Sequence, residues 1–172
     1  MSEEIRIYVA DLAAYNAGKL HGVWIDVTKD MEDIWNEVKA MLSKSPEPLA
    51  EEYAIHDYEG FEGYGLSEYE GLDKAHKIAC FIEEHGKIAG ELLNYFGGDL
   101  EEAKEMIEEN YCGLYDSIED FARSMTEDVI EEVPFGLRGY IDYERMGKDM
   151  ELSGDITTFE LRLDEVHIFW AH

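Results

Sequence analysis

Hydrophobic and polar positions alternate with a period of two near both ends of the chain and repeat with a helical period between them. Ile5 to Val9 and Val23 to Val27 read as strands joined by an Asn16-Ala17-Gly18 turn, and Tyr53 to Tyr58 as a third strand. Before that third strand, Ile34, Trp35, Val38 and Leu42 form a helical stripe that Thr28 or Asp30 can cap and that Pro46 and Pro48 stop. The result is a small α+β unit ending near residue 60, with the run Gly60 to Gly65 marking a boundary. From Ser67 the pattern is helical. Ser67 and Glu70 spell a capping box ahead of Leu72, Ala75, Ala79 and Ile82, and Gly86 interrupts. A second helix covers Lys87 to Phe96, Gly97-Gly98 punctuates, and Asp99 with Glu102 opens a third. Ser117 caps another helix, with Ile118, Phe121, Ala122, Met125 and Val129 on one stripe, and Pro134 limits it. A helix near Leu137 to Met146 precedes the Ser153-Gly154 turn and a terminal hairpin, Thr157 to Leu161 and Val166 to Trp170, folded around Asp164. These elements predict an α+β fold with short antiparallel sheets and an all-helical middle section. Its domains divide as an N-terminal α+β domain (1–62), a helical acidic domain (63–114) and a C-terminal α+β domain (115–172).

Charge changes the meaning of this pattern. Between Glu51 and Glu132 there are 24 Asp or Glu against five Lys or Arg, a local net charge of −19 within a chain total of −27. Single-sign charge repels itself and destabilises a compact domain, and like charges at i, i+4 on a helix oppose its formation. A sequence that tolerates this uses the field. From Asp99 to Asn110, Glu101, Glu105 and Glu108 fall on one stripe with Glu102 and Glu109 beside it, while Leu100, Ala103 and Ile107 mark the opposite face. Disordered acidic tails are poor in aromatics, whereas 11 Tyr, 7 Phe and 3 Trp are spread among these acids, so the acids sit on folded structure. Nucleic acid and anionic membranes would be repelled; a basic partner is the complement. Two copies would carry 2 × 27 = 54 net negative charges, the charge of roughly 27 base pairs of duplex at ~1.7 Å per charge.

Catalytic signatures are missing. The sequence has no GxSxG, GxxxxGK[ST] or GxGxxG, and GFEGYG at Gly60 to Gly65 sits among acids that would repel phosphate. His56-Asp57 is the pair a metal-dependent phosphohydrolase would use, but supporting ligands are lacking, and on a regular strand the two point to opposite faces. His56 therefore reads as structural, and His21, His76, His85, His167 and His172, which show no ligand spacing, as surface or satisfied-core residues. Asp57 to Glu68 has the length of an EF-hand loop, but Phe61 and Glu62 occupy the fifth and sixth positions, where a ligand and a glycine are needed. Cys80 and Cys112 lie in helical patterns without CxxC spacing and read as buried, reduced thiols of a cytosolic protein. Met1-Ser2-Glu3-Glu4 has neither a basic flank nor an apolar stretch, and no segment approaches a membrane span. The expectation is a cytoplasmic, non-enzymatic protein without catalytic residues, metal or cofactor.

One short pattern recurs: Asp57-Tyr58-Glu59, Glu68-Tyr69-Glu70 and Asp142-Tyr143-Glu144. On an extended segment the two acids share a face about 6.6–6.8 Å apart with the tyrosine turned inward, close to the ~6.8 Å of two steps along a DNA strand.

Four segments carry a resemblance: Ile7-Tyr8-Val9, YNAGKLHGVWIDV (Tyr15 to Val27), EEYAIHDYEGF (Glu51 to Phe61) and VPFGLRGYIDYERMGKDMELSGD (Val133 to Asp155). Together they resemble the ArdA antirestriction proteins of plasmids and transposons, along nearly the whole chain. The resemblance implies an elongated, three-domain α+β protein that forms a homodimer through its C-terminal domain and mimics bent B-form DNA. It further implies that the protein occupies the DNA-binding groove of the methyltransferase core of type I restriction-modification enzymes. Under this reading the phosphate-mimicking carboxylates are the helix-borne Glu101, Glu102, Glu105, Glu108, Glu109, Asp120, Glu127 and Asp128, with Asp57, Glu59, Glu68 and Glu70 linking them to the N-terminal unit. The alternative is an acidic interaction or chaperone-like module for another basic DNA-binding protein, and a hydrolase built on His56 and Asp57 is the third. Regular carboxylate spacing on an elongated dimer favours the mimic, scattered acids on a compact monomer the module, and further metal ligands around His56 the hydrolase.

Overall fold

The computed structural model describes residues 4–171; the leader reading of Met1 to Glu3 and the reading of His172 fall outside the described residues. The chain divides into two compact units, Met1–Leu100 and Glu101–His172.

In the first unit β1 (Arg6–Asp11) lies between β2 (Gly22–Asp26) and β3 (Tyr53–Glu59), antiparallel to both. β1 is the central strand because Ile7 and Val9 are fully buried and Ala10 nearly so. Between β1 and β2 runs a short helix, α1 (Leu12–Asn16), where only a turn was expected. Its cause is Asp11: this fully buried carboxylate ends β1 and accepts the Ala14 amide at 3.2 Å, capping the helix. α2 (Met31–Ser43) buries Ile34, Val38 and Met41. Asp30 occupies its cap position but makes no side-chain cap bond, and the Thr28 hydroxyl donates instead to Asp26 at 2.6 Å. Neither expected capping side chain caps this helix.

β3 departs from regular alternation. Val9 pairs with Ile55 and Tyr8 with Asp57, so His56 is the extra residue of a bulge. Ala54 and Ile55 are both buried and His56 to Glu59 all exposed. The expectation that His56 and Asp57 face opposite ways fails for that reason. The predicted capping box also fails. α3 (Leu72–His85) starts after Gly71, while Ser67 to Glu70 forms a turn in which Ser67 Oγ accepts the Tyr69 amide at 3.2 Å and the Glu70 amide donates to Ser67 O at 3.0 Å. Buried Leu66 and Leu72 pin the two ends of this segment. Gly86, at φ +73, ends α3 and leads directly into α4 (Lys87–Tyr95).

α5 (Leu100–Asn110) is followed by β4 (Tyr111–Tyr115), a strand within the section expected to be wholly helical. Gly113 and the register shift beside it break β4's alternation and hide it from a periodicity reading. β6 (Glu165–Trp170) is central between β4 and β5 (Ile156–Arg162). The hairpin turns at Leu163-Asp164, with Asp164 at φ +69. α6 (Ile118–Thr126) is capped by Ser117, whose hydroxyl accepts the Asp120 amide at 3.1 Å. It ends before Glu127, so Glu127 and Asp128 lie in the following turn rather than on the helix. Pro134 then begins a 3-10 segment, Phe135–Tyr140, and Asp142 caps α7 (Tyr143–Leu152). The helix expected from Leu137 to Met146 is displaced because Gly136 and Gly139 disfavour an α-helix, whereas Asp142 accepts the Arg145 amide at 3.0 Å.

Phe121, Ile156, Val166 and Ile168 form the core under α6 and α7, with Cys112, Tyr115, Ile118 and Met150 packed against it. The two helices approach so closely that a Cβ on Gly147 would meet Ile118 Cγ2 at 2.4 Å. Cys80 lies on α3 and Cys112 on β4, both without a disulfide; each is half-buried rather than buried as expected, and Cys112 is on a strand rather than a helix.

Candidate partner-binding surface

The acids of α5 follow from its two faces. Leu100, Ala103 and Met106 are buried and Ile107 half-buried, which turns Glu101, Glu105, Glu108 and Glu109 outward. Glu102 is half-buried, at the margin of the stripe rather than fully on it. From Glu101 to Glu109 the helix rises ~12 Å, a length over which B-DNA carries ~7 phosphate charges. Five carboxylates stand there with Lys104 among them, a somewhat lower density of the same sign.

Around α6, Asp120 is exposed in the first turn, while Glu127 and Asp128 are exposed just past the helix end. The carboxylates of the first unit lie on β3 and the turn beside it, since the Ile55 amide donates to Glu68 O at 3.3 Å. They are not equivalent. Asp57 and Glu68 are exposed. Glu59 is exposed but paired with Arg6, whose guanidinium it holds above its ordinary pKa and which also lies over Trp24. The Glu70 side chain is only 13% exposed and pairs with Lys74 at 3.1 Å, which raises the lysine's pKa. Of the twelve expected carboxylates, Glu70 thus faces inward and Glu59 is partly neutralised.

The strand spacing inferred for the acid-tyrosine-acid triplets applies to one of the three. Asp57-Tyr58-Glu59 is on β3, but Tyr58 is 36% exposed rather than turned in, its ring edge-on to Phe61. Glu68-Tyr69-Glu70 is a turn, and Asp142-Tyr143-Glu144 opens a helix, with Glu144 paired to Lys148. Exposed acids left out of the expected set include Asp73, Glu83 and Glu84 on α3 and Glu91 on α4. Their signal was present in the sequence, off the apolar stripe of each helix.

The five described histidines make contacts within the fold. His21 Nε2 donates to Met41 O at 2.7 Å and His76 Nδ1 to Val27 O at 2.8 Å. His56 packs edge-on against Tyr15. His85 lies beside Phe81 and Glu84, and Tyr111 Oη is 2.7 Å from His167 Nδ1. Burial lowers the His167 pKa and raises that of Tyr111. Among the described residues no three His, Cys, Asp or Glu side chains gather where they could hold a metal ion, and no helix is long and apolar enough to cross a membrane.

Residues 7–162 match the family model described as Antirestriction protein (ArdA). No curated protein matches the chain.

Proposed function

We propose that this chain, which belongs to the ArdA family of antirestriction proteins, is a noncatalytic DNA mimic that inhibits type I restriction-modification enzymes by occupying the DNA groove of their methyltransferase core. Membership in the family makes it an antirestriction protein, whose targets are restriction enzymes. The mechanism rests on one observation above all: α5 holds Glu101, Glu105, Glu108 and Glu109 exposed on a single helix. A groove lined with Lys and Arg to bind phosphates meets there a row of anions already fixed in space, which lowers the cost of ordering them on binding. Asp57, Glu68, Asp120, Glu127 and Asp128 extend the set, and Glu59 joins it if the enzyme's bases displace Arg6. Glu102 contributes from the margin, and Glu70 supports the turn that presents Glu68.

In this reading the protein acts in the cytoplasm, where restriction takes place. Its three domains are 1–62, 63–114 and 115–172, and a homodimer forms through the last. Phe135 and Tyr140, each 85% exposed, and Leu137, 56% exposed, supply an apolar surface for that contact, in a segment whose net charge is far smaller than that of the middle section.

Competition tests the reading. A labelled duplex bound to a purified type I methyltransferase core should be displaced by the protein, with an affinity that falls steeply as salt rises. If micromolar protein leaves the duplex bound, the DNA-groove reading is wrong.

A further inference from the structure

Tyr69 is 85% exposed, so its ring contributes little to the core. Yet the backbone that carries it is held at three points. Ser67 Oγ accepts the Tyr69 amide at 3.2 Å, the Glu70 amide donates to Ser67 O at 3.0 Å, and the Ile55 amide ties Glu68 O to β3 at 3.3 Å. On one side Glu68 is an exposed carboxylate whose nearness to the tyrosine hydroxyl raises the phenol's pKa. On the other, Glu70 turns inward to Lys74. A planar ring with an exposed anion next to it, on a pinned turn, has the chemistry of a nucleotide's base and phosphate. Other exposed rings are set differently: Phe135 and Tyr140 belong to an apolar run, while Tyr15 packs on His56, Tyr58 on Phe61, Tyr95 on Phe96, Tyr111 on His167 and Trp170 on Phe121.

We infer that Tyr69 is a base surrogate, entering the pocket of the methyltransferase that receives a flipped nucleotide while Glu68 meets the basic groove beside it. The inference rests on the DNA-groove reading. Methyltransferases extrude their target base into a pocket where it stacks between aromatic or apolar side chains, and a rigid tyrosine offers a stacking face at low entropic cost. Interface energy concentrates in such buried aromatic anchors.

The test is a binding cycle against the intact methyltransferase core and against a core variant in which the stacking side chain of its base pocket is cut to alanine. Tyr69→Ala and Tyr69→Gln should melt within a few degrees of the wild type, as expected for about an exposed side chain. Both should bind the intact core about 10-fold or more weakly, with an unchanged salt slope because no charge is lost. Tyr69→Phe should stay within about 3-fold, and the losses should vanish against the pocket variant. If the ringless variants bind the intact core as tightly as the wild type, or lose equally against both cores, Tyr69 is not in the pocket although the groove reading stands. If the wild type itself does not compete with DNA, the groove reading falls and this inference with it.

Discussion

α5 and the segment from Pro134 to Leu152 treat charge in opposite ways. Among the described residues no ion pair involves Glu101, Glu105, Glu108 or Glu109. The last turn of α5 contains no base, so Glu108 and Glu109 stand at the negative end of the helix dipole. In α7, Glu144 pairs with Lys148 at 3.0 Å and Arg145 with Asp149 at 3.9 Å, each one turn apart. Ahead of α7 the chain exposes Phe135, Leu137 and Tyr140. One region holds these four carboxylates outside any ion pair, against its own helix stability, and the other neutralises charge and leaves apolar side chains in water. Each feature is unfavourable in isolation and would become favourable with the partner proposed for it: a basic groove for α5, a second copy of the chain for the apolar segment.

The strongest way to break this comparison is to convert Glu101, Glu102, Glu105, Glu108 and Glu109 together to Gln, which preserves size and helix propensity. Thermal stability should hold or rise as repulsion is relieved. Affinity for the methyltransferase core should fall roughly 100-fold at moderate salt, with a shallower dependence of log affinity on log salt. Titrations at several salt concentrations check both; unchanged affinity and slope would move the recognition surface to another acidic face.

Leu137→Asp brings charge to the apolar segment. Light scattering at micromolar concentration should show a dimer for the wild type and a monomer for the variant, with circular dichroism unchanged. A wild-type monomer would refute the contact.

Gly147→Ala probes the packing beneath the paired charges. The added methyl meets Ile118, and overpacking of this kind costs about 1–3 kcal/mol, readable by urea unfolding.

The smallest effect concerns His167. Its pKa is lowered in the folded state, so the unfolded chain binds the proton more readily, and stability is lost as pH falls below the ordinary histidine range. Above that range the penalty is absent. His167→Gln should therefore lose less stability than the wild type between pH 7 and 5, in paired melts that cancel the carboxylates' own titration.

Local patterns were legible wherever one face of an element is buried and the other wet. β1, β2, α2, α4 and the C-terminal hairpin follow from their periodicity, as does the outward row on α5, because Leu100, Ala103 and Ile107 leave the acids only one way to point. Asp11 was not legible as a helix cap, since nothing local marks a carboxylate that will be fully buried. Nor was β4, where Gly113 breaks the alternation and pairing with β6, more than fifty residues away, makes the strand.

The amino-acid sequence by itself determined the sign and density of the charge, the α+β class and the family, because these depend on composition, periodicity and motif. Tertiary structure alone decided which carboxylates remain available. Glu70 turns in to Lys74, Glu59 meets Arg6 across the sheet, and the bulge at His56 puts Asp57 on the exposed side. Those outcomes depend on neighbours in space and on strand register, which a residue's place in the chain does not encode.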